Sequence, residues 1–193
     1  WLWRVSSAIA INMEAEETYL KGCFIFTPKV FEDSRGYFFE SFNIATFKSL
    51  TGVFVDFVQD NQSLSSKGVL RGLHFQTGEY KQAKLVRTIK GSVLDVCVDL
   101  RKESKTYRQY FSIVLDDKKH QQLFIPRGFA HGFVALENNT IINYMCDNYY
   151  NKSAESGIIY NDKTLNIDWK LDNSELILSE KDKELPKFEN LLP

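Results

Sequence analysis

The chain has little of what metal sites and disulfide frameworks are built from. It holds three cysteines and three histidines in 193 residues, with no CxxC or other zinc spacing. Cys23, Cys97 and Cys146 are far apart and odd in number, and Cys97 and Cys146 sit in apolar or aromatic runs. They read as small core residues of a protein kept in a reducing cytoplasm. No apolar run approaches the ~20 residues that cross a membrane. Neither sign of charge dominates: 24 Lys and Arg stand against 25 Asp and Glu. There is no global field to hold nucleic acid or an anionic membrane, which excludes both as partners. Gly-x-Gly-x-x-Gly and the P-loop are also missing, so a helix N-terminus is not a phosphate-binding device here. A small anion held by a local arginine cluster stays open.

The length suits one domain with a core that needs no staples. Residues 1–12 are apolar but lack a basic n-region and a clear cleavage site. Met13, followed by Glu14-Ala15-Glu16-Glu17, looks like a natural beginning. Residues 1–12 are therefore expected to be a non-native extension or a mis-assigned start, and 13–193 a single domain. Fifteen Phe and nine Tyr lean toward β structure. Residues 18–31 read as a strand pair, Glu32–Gly36 as a turn and Tyr37–Phe42 as an aromatic strand. Ile44–Leu50 reads as a short helix ended near Gly52. From Val69 short β-runs follow closely, with Gly, Pro and Asn between them. The spacing predicts a mainly β fold, a cupin-like antiparallel jelly-roll barrel with a few short helices.

One stretch organises the rest: Val69-Leu70-Arg71-Gly72-Leu73-His74-Phe75-Gln76. On a regular strand Arg71 and His74 face opposite ways. Sharing a site would take a bend or bulge, for which Gly72 is suited. A barrel with histidines near glycine turns raises the question of a metal, which in cupins needs about three His and a carboxylate. His74 has Gly72 and Gln76 where a second histidine would stand. Pro126-x-Gly128-x-x-His131 offers one more histidine. His120 follows Asp116-Asp117-Lys118-Lys119 and reads as solvent-exposed. Two inward histidines do not make a three-histidine site, so no metal is expected, and His74 and His131 are left for acid–base or hydrogen-bonding work.

Arg71–Gln76, Lys84-Leu85-Val86-Arg87, Asp95–Arg101, Ile125–Phe133 and Ile167-Asp168-Trp169 occur in one order. Together they resemble the dTDP-4-dehydrorhamnose 3,5-epimerase family over roughly residues 18–185. The resemblance implies a cofactor-independent epimerase that inverts C3 and C5 of dTDP-4-dehydro-6-deoxy-D-glucose for dTDP-L-rhamnose biosynthesis. Such chemistry needs a base for the proton beside the ketone, a stabiliser for the enolate oxygen, and an acid on the other face. His74 suits the base because its ordinary pKa lies near working pH. By resemblance Asp182 orients it and Tyr144 is the acid, with Lys84 the cation at the enolate oxygen. On residue type alone, Tyr144 is by default a half-buried strand tyrosine and Asp182 a solvated tail charge, and Lys84 reads as an edge-strand charge.

The nucleotide side is assigned the same way. Arg35 and Arg71 are implied as phosphate contacts. Gln59, Asp60 and Asn61 offer groups for the diphosphate or the sugar hydroxyls. Glu40 accepts from the base, Tyr150 stacks on thymine, and His131 lines the site. Phe38, Glu155 and Lys181 match further binding positions; Phe38 and Tyr150 are also readable as core or interface aromatics. The resemblance further implies a homodimer in which the Arg35–Glu40 segment reaches the partner's site. The alternatives are an epimerase acting at C3 or C5 alone, and a sugar-nucleotide-binding cupin without catalysis.

Overall fold

The computed structural model describes residues 12–191. Of the expected extension at 1–12 only Asn12 lies among them, its carbonyl accepting from the Lys29 N–H at 2.7 Å. The strands in chain order are β1 (Met13–Glu17), β2 (Phe24–Pro28), β3 (Phe31–Asp33) and β4 (Gly36–Phe38), followed by helix α1 (Ile44–Thr51). Then come β5 (Gln59–Ser65), β6 (Leu70–Gln76), β7 (Lys84–Lys90), β8 (Ser92–Asp99) and β9 (Tyr110–Asp116). β10 (Gln122–Ile125), β11 (Phe129–Ala135), β12 (Thr140–Cys146), β13 (Glu155–Gly157) and the short helix α2 (Glu180–Lys183) complete the order.

Two antiparallel sheets face each other, one ordered β1-β2-β10-β7-β12-β5 and the other β13-β6-β11-β8-β9, and β3 and β4 form a separate hairpin. This is the expected mainly β, cupin-like jelly roll. Val86, Leu123 and Ile142 from the first sheet meet Val93, Cys97 and Phe133 from the second. The outer face of the second sheet is closed by the C-terminal segment through Ile158, Leu165, Trp169 and Phe188. The outer face of the first is closed by α1, whose Phe47 stacks on Phe26 at 5.2 Å between centroids. α1 starts where Asn43 Oδ1 accepts the N–H groups of Ala45 and Thr46. It stops at Gly52, whose φ of 69° suits a left-handed cap.

Three expectations change. The aromatic strand expected at Tyr37–Phe42 ends at Phe38, with β4. Residues 18–31 are not a simple strand pair. Tyr19–Gly22 is a tight turn with Gly22 at φ 86°, and Leu20 and Cys23 drop from it into the core, fully buried. Their apolar character comes from that burial and not from a pleat. His120 is not solvated: the rings of Tyr37 and Phe39 each sit 4.7 Å from its imidazole, and only 9% of the residue is exposed. The β3–β4 arm covers it, a long-range contact that local charge does not reveal.

Candidate active site

β6 builds one wall. Arg71 lies opposite Phe133 and His74 opposite His131, so three steps along β6 match two along β11. That is the bulge expected at Gly72. Gly72 has φ 125°, and a Cβ there would sit 2.6 Å from Gly132 Cα and 2.8 Å from the His131 carbonyl. A side chain has no room between these backbones. The extra residue turns Arg71 and His74 to one side, and both line a cavity of about 290 Å³ between the sheets.

α2 closes the same cavity. The Asp182 N–H donates to Ser179 Oγ at 3.1 Å, and the resulting turn holds the Asp182 carboxylate 2.6 Å from His74 Nε2. Burial would raise the Asp182 carboxyl, but the hydrogen bond and charge of His74, with help from Ser179, outweigh it and hold it below the usual value. An ionised carboxylate only accepts, so the His74 nitrogen facing it carries the proton. The other ring nitrogen of a neutral His74 then holds the free lone pair, which is what a base needs.

The opposite sheet supplies Lys84 and Tyr144 from neighbouring strands β7 and β12. The Lys84 ammonium lies 5.7 Å from the Tyr144 ring centroid. Burial pushes Lys84 below its ordinary value, against the pull of Cys146, Asp95 and Glu155. Burial also pushes the Tyr144 phenol up, so it stays protonated at neutral pH. A base oriented by a carboxylate thus shares a half-dry space with a cation and a protonated phenol.

His74, Lys84 and Tyr144 also border a second, adjoining cavity of about 120 Å³ that includes Gln59, Asn61 and Tyr150. Gln59 Nε2–H donates to Asn61 Oδ1 at 3.0 Å, and the Tyr150 N–H donates to Gln59 Oε1 at 2.9 Å. Glu155 accepts from the Tyr150 hydroxyl at 2.9 Å and pairs with Lys181 at 2.6 Å. Half of the Tyr150 surface is exposed.

Other expected residues lie elsewhere. Asp60 points to the outer face of β5, where its carboxylate accepts from Asn143 Nδ2 at 2.7 Å. Strand alternation sends Gln59 and Asn61 inward and Asp60 outward. Arg35, Phe38 and Glu40 are on or just after the β3–β4 hairpin and line neither cavity. Arg35 pairs with Asp33, Phe38 is 71% exposed, and Glu40 accepts from Asn43 Nδ2 at 3.2 Å.

His131 lines the first cavity and donates from Nε2 to the fully buried carboxylate of Asp95, at 2.9 and 3.1 Å. Asp95 was not anticipated as a site residue, although a charge inside the apolar run of β8 was the available signal. Ser63 and Ser179 were also missed, and their residue types gave no such signal. Among the described residues no group of three or more His, Cys, Asp or Glu is placed to hold a metal ion.

Residues 17–190 match the family model described as dTDP-4-dehydrorhamnose 3,5-epimerase. The protein of that name from Methanothermobacter thermautotrophicus is 50% identical over 168 residues, 86% of this chain and 90% of that protein. The crystal structure of the Elizabethkingia anophelis protein of that name superposes with a TM-score of 0.90 at 49% identity, covering 93% of this chain and 98% of that one. A dTDP-6-deoxy-D-glucose-3,5-epimerase from Legionella pneumophila, solved with dTDP-4-keto-L-rhamnose, gives 0.89 at 40% identity over 93% and 95% of the two chains.

Proposed function

The chain belongs to the dTDP-4-dehydrorhamnose 3,5-epimerase family, and we propose that its cavity inverts C3 and C5 of dTDP-4-dehydro-6-deoxy-D-glucose with His74 as the base. The observation that carries this is the His74–Asp182 contact at 2.6 Å in a cavity that also receives Lys84 and Tyr144. C3 and C5 both flank the C4 ketone, so one cation at the C4 oxygen serves both proton transfers. His74 takes the proton from the carbon. The electron pair moves onto the C4 oxygen, where Lys84 meets the enolate charge. The Tyr144 hydroxyl then returns a proton to the opposite face, and proton exchange with solvent restores neutral His74 and the Tyr144 phenol before the second carbon reacts. The net change is inversion, with no electrons gained or lost. Incubation with this sugar nucleotide is expected to give a product inverted at both carbons by NMR. A product inverted at one carbon would make the protein a single-site epimerase.

The nucleotide follows from the second cavity: Tyr150 stacks on the base, and Gln59 and Asn61 bind nearby oxygens. Glu155 lines the same space and Lys181 braces it through their ion pair, while Arg71 lines the first cavity. For Arg35, Phe38 and Glu40 we propose a partner subunit's site in a homodimer. In support, Phe31, Tyr37 and Phe38 leave a large aromatic surface on the β3–β4 arm, of the kind an interface covers. The three free, buried cysteines suit a cytoplasmic location. The dimer makes a sharp prediction. Arg35→Ala and His74→Asn are each expected to be inactive alone. Co-expressed, they pair to leave one intact site per mixed dimer, so about a quarter of all sites recover if pairing is random. Sites built from one chain would recover nothing.

A further inference from the structure

Among the described residues, one solvent-shielded side-chain oxygen or nitrogen has no hydrogen-bond partner, the hydroxyl of Ser63. Buried hydroxyls are normally satisfied, because leaving the bond unmade keeps the full cost of desolvation. The location of this one is informative. Ser63 is on β5, two residues beyond Asn61 and facing the same way, opposite Ile142 of β12. It lines the cavity of His74, Lys84 and Tyr144. It does not border the adjoining space that holds Tyr150. The next inward residue on β5, Ser65, is taken, since its Oγ accepts from Arg71 Nε at 3.4 Å. Ser63 therefore sits at the reacting end of the site, unsatisfied, with its neighbour already engaged.

We propose that the Ser63 hydroxyl is a substrate contact that hydrogen-bonds an oxygen of the hexose ring. The inference rests on the epimerase reading and extends it to a residue that the reading does not use. A hydroxyl both donates and accepts, so it suits a ring hydroxyl or an anomeric oxygen flanking the carbonyl that Lys84 holds. A bound sugar would supply the partner that the protein itself does not. Discrimination is strong at such a position, because a sugar lacking the matching oxygen leaves a buried group unpaired again.

The test is Ser63→Ala, with turnover, dTDP affinity and melting temperature measured on the full chain. The expected result is a fall of about tenfold or more in kcat/KM for dTDP-4-dehydro-6-deoxy-D-glucose. Affinity for dTDP, which has no hexose, should stay at the wild-type level. The melting temperature should be unchanged or higher, because the substitution removes an unsatisfied polar atom and no bond. Wild-type kcat/KM in the variant would overturn the contact. An equal loss of dTDP affinity would move the hydroxyl to the diphosphate and overturn the hexose assignment. A fall in melting temperature matching the lost activity would make Ser63 structural. Wild-type protein that leaves the sugar nucleotide unchanged would instead refute the epimerase reading, and this inference with it.

Discussion

His74→Asn is expected to lower turnover by on the order of 10²–10⁴-fold, the range for loss of a general base. Affinity for dTDP should change by less than about twofold, since the proposed role of the ring is proton transfer at the sugar carbons and not a hold on the nucleotide. His74→Gln is the informative companion. Its amide nitrogen reaches the place of Nε2 and can still donate to the Asp182 carboxylate, which sits 2.6 Å from that histidine nitrogen. That carboxylate is almost wholly buried and would be costly to strand. What either amide lacks is a basic lone pair. The loss should therefore appear in kcat, with the melting temperature close to wild type. Stopped turnover with retained dTDP binding, read by calorimetry, is the expected pair of results. Unchanged turnover would remove His74 as the base.

Tyr144→Phe is expected to separate two events that wild-type protein runs together. Inverted product should form about 10²-fold more slowly, because the acid on the far face is gone. Exchange of the C3 and C5 protons with solvent should survive. His74 can still remove a proton, and Lys84 can still hold the enolate. With no donor opposite, His74 returns solvent-derived hydrogen to the face it came from. Phenylalanine keeps the ring that lies against Lys84 and removes only the hydroxyl. Burial holds that phenol above its usual value, so at neutral pH it is the protonated, donating form that is lost. A variant that inverts at the wild-type rate would end the assignment of Tyr144 as the acid.

Much of this site was legible in the chain because local rules specify it. Arg71 and His74, three apart with a glycine between, demanded a bulge if both served one site, and β6 has it. α1 was readable from its periodicity and from Gly52, which caps it. Alternation also carried information that the expectation for Gln59, Asp60 and Asn61 overlooked: adjacent residues of a strand cannot share a face, and Asp60 points away. Other features depend on chain segments far apart. Asp182 meets His74 across 108 residues, so the pairing came from family resemblance and not from spacing. His120 looks solvated beside four charged residues but is covered by Tyr37 and Phe39. The turn at Tyr19–Gly22 passed for a strand because buried turns and strands draw on the same apolar residues. Ser63 was invisible for a different reason. A serine is ordinary anywhere, and only its missing partner marks it.

This cavity is proposed to remove and return protons at the two carbons beside a C4 ketone. Incubation with dTDP-4-dehydro-6-deoxy-D-glucose in D2O, followed by NMR at C3 and C5, tests it most directly. Deuterium at both carbons, in a product with both centres inverted, is the expected result. Deuterium at one carbon would restrict the chemistry to a single site, and folded protein that introduces no deuterium at either would refute the epimerase reading.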